Sequence, residues 1–83
     1  MYYKILHKGF VRYNKSWRVI KGLRVWSSAR TLSQFLTVME DLYQLRIEDG
    51  CTEVTLSFKD ETATLIYTDN TIRYKDFYMF VEK

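Results

Sequence analysis

His7 is the only histidine and Cys51 the only cysteine of the 83 residues, so nucleophile-and-base chemistry would require the fold to bring these two together. No local motif supports such a pair. His7 reads as a partly exposed strand-end residue. Cys51 follows Gly50 in a turn and reads as an inert thiol. A reactive thiol needs electropositive surroundings, and the sequence neighbours here are Glu48, Asp49 and Glu53. Acids also occur as adjacent pairs, Glu40-Asp41, Glu48-Asp49 and Asp60-Glu61. Acid–base or metal chemistry needs carboxylates that converge in a cleft. These sit on a helix flank and in turns, which reads as solvated surface. Three isolated glycines encode no phosphate-cradling loop. No metal or cofactor is expected, and the chain reads as a non-enzyme; a small enzyme or toxin is the weakest reading.

Lys4 to Arg30 differs in kind. It holds eight Lys and Arg, no Asp or Glu, and the aromatics Phe10, Tyr13, Trp17 and Trp26. Lys and Arg bind phosphates by charge and counterion release, and aromatic faces stack unpaired bases. The candidate binding residues are Lys8, Arg12, Tyr13, Lys15, Trp17, Arg18, Lys21, Arg24 and Trp26. The bland alternative puts both tryptophans in the core and leaves the cations to keep a small protein soluble. A solubilising surface usually mixes both signs, and this stretch does not.

The totals bound the rest. A chain of this length makes one domain, residues 1–83, near the small end of what folds alone. Residues 1–39 carry +8 and residues 40–83 carry −5, which gives the net +3. Such asymmetry signals a partner more strongly than the total does. One cysteine excludes an internal disulfide framework. No apolar run suits a signal peptide or a membrane span, so a reducing, cytoplasmic setting is the expectation.

Tyr2 to His7 has strand composition, and Gly9 punctuates its end. Phe10 to Tyr13 and Trp17 to Ile20 flank Asn14-Lys15-Ser16 as a three-residue hairpin loop. That register opposes Tyr13 with Trp17, Val11 with Val19, Phe10 with Ile20, and Arg12 with Arg18. Like charges directly opposite are unfavourable, so an anionic partner compensates or the register differs. Residues 4, 8, 12, 15 and 18 would share a helical face, but the β-branched and aromatic content with Gly9, Asn14 and Gly22 favours strands. Gly22 breaks the pattern, and Leu23 to Trp26 forms a short strand or continues the second after a bulge.

A helix is predicted from Ala29 to about Arg46, with Leu32, Phe35, Leu36, Met39, Leu42 and Tyr43 as its apolar stripe. Ser27 or Ser28 can cap it, and Thr31 with Gln34 offers a second capping spacing. Gly50 ends it. Strands Glu53–Lys59 and Thr62–Thr68 follow, joined at Asp60-Glu61, with Asp69-Asn70 as the next turn. Pairing then opposes Phe58 with Ala63, Leu56 with Leu65 and Val54 with Tyr67, and after the second turn Tyr67 with Ile72 and Leu65 with Tyr74. Continuing in phase would bury Asp76, so a bulge or bend is expected there before Phe77–Val81. The fold class is α+β: an antiparallel sheet, made of an N-terminal hairpin plus a C-terminal three-stranded meander, packed against one amphipathic helix. The meander and the helix stripe are expected to supply the core.

In size, lack of proline, lack of a catalytic motif and charge polarity, the chain resembles small phage-encoded inhibitor proteins, of which anti-CRISPR proteins are the best-known group. The resemblance is to the character of the whole chain and carries no residue over. It implies a protein that inhibits or modulates a larger, nucleic-acid-handling machine by occupying a surface. Many such inhibitors are acidic mimics of DNA, whereas this N-terminal half is basic. The expected partner is an acidic protein surface. The alternatives are direct binding of RNA or single-stranded DNA by the same residues, and a homo-oligomer joining the basic half of one copy to the acidic half of another. No membrane partner is expected.

Overall fold

The computed structural model describes residues 3–82 as β1 (Tyr3–Tyr13), β2 (Ser16–Ala29), α1 (Leu32–Glu48), β3 (Thr52–Lys59), β4 (Thr62–Asp69) and β5 (Ile72–Glu82). The strands form one antiparallel sheet in the order β2-β1-β5-β4-β3, with the helix on one face. The fold is the α+β arrangement read from the sequence. Tyr2, the predicted first strand residue, lies outside the described residues.

Gly9 does not end a strand. β1 runs through it because both neighbours, β2 and β5, pair along its length, and two ladders of hydrogen bonds outweigh one glycine's weak strand preference. The hairpin loop is Asn14-Lys15, two residues rather than three, with Tyr13 opposite Ser16. Asn14 takes the left-handed backbone there (φ 58°), which asparagine tolerates. The register therefore sets Arg12 opposite Trp17, Val11 opposite Arg18 and Phe10 opposite Val19. Arg12 and Arg18 are not opposed, and the like-charge conflict disappears.

β2 continues past Gly22 after a bulge, the second of the two readings of that glycine: Gly22 and Leu23 together stand opposite Lys8. The strand spends 14 residues, Ser16 to Ala29, against the 11 of Tyr3 to Tyr13. The three extra residues are taken up at register shifts facing Ile5/Leu6, His7/Gly9 and Gly9/Phe10. Bulges of this kind bend a strand and raise its twist.

Ala29 closes β2, buried, so the helix starts later than the stripe suggests. Thr31 is its cap: Gln34 N–H donates to Thr31 Oγ1 at 3.1 Å, and Gln34 Oε1 accepts from Arg30 N–H at 2.7 Å. Ser27 and Ser28 are strand residues. At the other end Gly50 is left-handed (φ 86°), with Gly50 N–H donating to Ile47 O and Cys51 N–H to Arg46 O, both at 3.1 Å, the bond pair of a Schellman stop.

Phe35 and Met39 sink from the helix onto Ile5, Ala29, Ala63, Tyr78 and Phe80. Each such buried side chain contributes about 1.5–3 kcal/mol relative to exposure. Leu36, Val38, Leu42 and Leu56 seal the margin, and Leu32 is left exposed. Ile5 and Ala29 show that the core is not confined to helix and meander; β1 docks on β5 and supplies its middle.

Opposition of Phe58 with Ala63 and of Leu56 with Leu65 matches the predicted β3–β4 register. Val54 and Glu53 share a bulge opposite Tyr67, with Glu53 left-handed (φ 51°). The second turn is Asn70-Thr71, one residue later than read, which pairs Tyr67 with Tyr74 and Leu65 with Asp76. The slip totals two residues, so every side chain keeps its face. No bulge interrupts β5 at Lys75-Asp76. Asp76 does point inward.

Candidate binding surfaces

Asp76 is tolerated inside because His7 meets it. His7 Nε2 lies 2.9 Å from Asp76 Oδ1, and the two side chains are 8% and 14% exposed. An ionised carboxylate only accepts, which puts the ring proton on Nε2. The Tyr67 hydroxyl lies near enough for the same carboxylate to act on it. Gly9 stands opposite Asp76 on β1, its missing side chain leaving Asp76 Oδ1 3.5 Å from where a Cβ would be. His7 is thus a buried mid-strand residue rather than a partly exposed strand end. Burial first, and Asp76 second, push the Tyr67 hydroxyl up to about 12 and the Tyr78 hydroxyl up as well.

The nine predicted binding residues separate into three groups. Lys8, Arg12 and Trp17 lie on the sheet face away from the helix. Tyr13, Lys15 and Arg18 sit exposed at the hairpin tip, with the Arg18 guanidinium 4.4 Å above the Tyr13 ring. Lys21, Arg24 and Trp26 line a cavity on the helix side of β2. Neither tryptophan belongs to the core: Trp17 is half-buried, and Trp26 is 41% exposed with its ring edge-on to Tyr78 at 5.1 Å.

The face away from the helix is open. Its outward positions pair Leu6 with Met79, Lys8 with Phe77 and Phe10 with Lys75 across β1 and β5. Val25 lies beside Leu6, Val19 beside Phe10 and Trp17 beside Arg12 on β2. Lys75 Nζ stands 4.7 Å from the Phe10 ring centre and 4.8 Å from that of Trp17, and the Arg12 guanidinium is 5.5 Å from Trp17. No outward position of β1, β4 or β5 is a carboxylate. Glu53, at the β3 corner, is taken up by Arg73 at 3.6 Å and by Thr68. Lys75, Phe77 and Met79 were missed in the sequence; their signal was the in-phase continuation of β5 past Asp76. Phe10 was read as part of the basic-aromatic stretch but not among the binding residues.

The edge strand β2 adds exposed apolar surface, with Val19, Ile20, Leu23 and Val25 each more than half exposed. Bulges and cations along it oppose pairing with a further strand, so it offers side chains rather than a backbone ladder. The carboxylate pairs Glu40-Asp41, Glu48-Asp49 and Asp60-Glu61 are all exposed. No helix among the described residues is long and apolar enough to cross a membrane.

No protein-family model matches the chain, and no curated protein or solved structure matches it either.

Proposed function

We propose that the chain is a non-catalytic binding protein that docks through the open face of its sheet onto an acidic protein surface of a larger, nucleic-acid-handling machine, and modulates that machine by occupying the surface. One observation carries the reading. Three neighbouring strands present Val19, Val25, Leu6, Phe10, Phe77 and Met79 outward, with Lys8, Lys75 and Arg12 among them and no carboxylate on the outward positions of β1 and β5. Contiguous exposed apolar area marks an interaction site, and unopposed cations within it select a negatively charged partner. The aliphatic share favours protein, because Leu, Val and Met offer no ring to a base. The resemblance to small phage-encoded inhibitors supports the kind of machine.

The corner formed by Arg12, Trp17, Lys75 and Phe10 supports direct binding of single-stranded RNA or DNA as the second reading, since it sets cations beside stackable rings. Capture from nuclease-treated cell extract separates the two. The protein reading expects an acidic partner that survives nuclease and loses at least about tenfold in affinity on the double change Lys8→Glu and Lys75→Glu. Loss of all capture on nuclease treatment, with retained binding to a purified single strand, moves the assignment to nucleic acid.

A further inference from the structure

On the helix side of the sheet, residues of β2, the neighbouring strands and the C-terminal half of α1 line a partly open cavity of about 340 Å³. That is the small end of the roughly 300–1,000 Å³ typical of small-molecule sites. Its polar lining is unbalanced. Lys21, Arg24 and Arg46 share the lining with a single carboxylate, Asp76, which His7 already engages. None of the three cations has an ion-pair partner among the described residues. The Arg46 guanidinium sits 4.4 Å above the Tyr67 ring, and its Nε is buried with no hydrogen-bond partner. A buried donor left unpaired is destabilising, and an anion in the cavity would relieve it. Trp26 and Tyr74 supply flat walls, Tyr74 being stacked on Tyr67 at 5.4 Å.

We infer that this cavity binds a nucleoside monophosphate, its phosphate among Lys21, Arg24 and Arg46 and its base against Trp26 and Tyr74. Phosphate alone matches the cations but leaves the aromatic walls unused, and the cavity is larger than one phosphate needs. Arginine suits the phosphate because its planar fork donates two parallel hydrogen bonds. The cavity lies on the opposite side of the sheet from the open face, so this inference stands apart from the proposed docking.

The test is a titration of the full chain carrying Trp17→Phe, which leaves Trp26 as the sole indole. Adenosine and uridine monophosphates should each quench its fluorescence saturably, at least about tenfold more tightly than inorganic phosphate is bound. Adding Lys21→Ala and Arg24→Ala, both at exposed positions, should weaken the nucleotides by about tenfold or more while circular dichroism stays unchanged. No saturable quenching by either nucleotide at low salt would overturn the inference. So would equal affinity for phosphate alone, or nucleotide binding that survives the Lys21/Arg24 change and is lost with Lys8→Glu and Lys75→Glu.

Discussion

A single inward carboxylate organises the interior side of the sheet. Asp76 sits opposite Leu65 and Gly9 on its two neighbouring strands, a position where an unpaired charge is costly. His7 answers it from β1, so one charge ties the first strand to the last. Its presence also keeps nearby phenols protonated. An unfolded tyrosine ionises near pH 10, whereas burial and the Asp76 charge hold Tyr67 to about 12. Between those values the unfolded chain releases a proton that the folded chain keeps, so stability falls as pH rises through this window and is unaffected by these groups below it. Phenolate absorbance of the folded protein should therefore show two late-titrating tyrosines, Tyr67 and Tyr78, and urea midpoints should drop as pH rises from about 10 to about 12. If Tyr67 and Tyr78 titrate near pH 10 while the fold persists, their burial beside Asp76 is wrong.

At the scale of elements, the order β-β-α-β-β-β was legible in the chain because alternation and the helical stripe are local patterns. The Thr31/Gln34 cap and the Gly50 stop were legible for the same reason. Gly22 did mark a bulge, but Gly9 misled, since whether a glycine ends a strand depends on neighbours far away in sequence. The placement of β1 between β2 and β5 decided it. The Asp76 conflict was visible as a charge in phase with the buried face, but its resolution required His7, 69 residues away. The binding residues were legible as a composition, while their division between two faces of the sheet depended on three bulges in β2, of which only the one at Gly22-Leu23 had a local signal. The turn after β4 carries a residual cost. Asn70 and Thr71 both have positive φ, 50° and 73°, as a type I′ turn demands. Threonine is poorly suited to that conformation. Thr71→Gly should raise stability by about 0.5–1 kcal/mol, read from the urea midpoint, after allowing for glycine's extra chain entropy. A lower midpoint would mean that the β4–β5 turn is not of this type.

Across the whole molecule, charge and shape point the same way. β2 and β3 are the two edges of the sheet. The basic half of the chain supplies β2, and the acidic half supplies β3, β4 and the exposed flank of α1 with Glu40 and Asp41. The molecule is elongated, 41 × 25 × 18 Å, and the polarity runs across the sheet from one edge to the other. One face of the sheet is covered by the helix and the other is left open with apolar side chains and cations. An antiparallel sheet can keep a solvated face, but then its outward residues are ordinarily polar. Here Leu6, Phe10, Phe77 and Met79 occupy that face, and a partner is the account of them offered above. Hydroxyl-radical footprinting of the chain bound to its captured partner tests this most directly. The account predicts loss of reactivity at Phe10, Phe77 and Met79 with Tyr43 on the helix unchanged; protection of Tyr43 with Phe10, Phe77 and Met79 as reactive as in the free chain would contradict it.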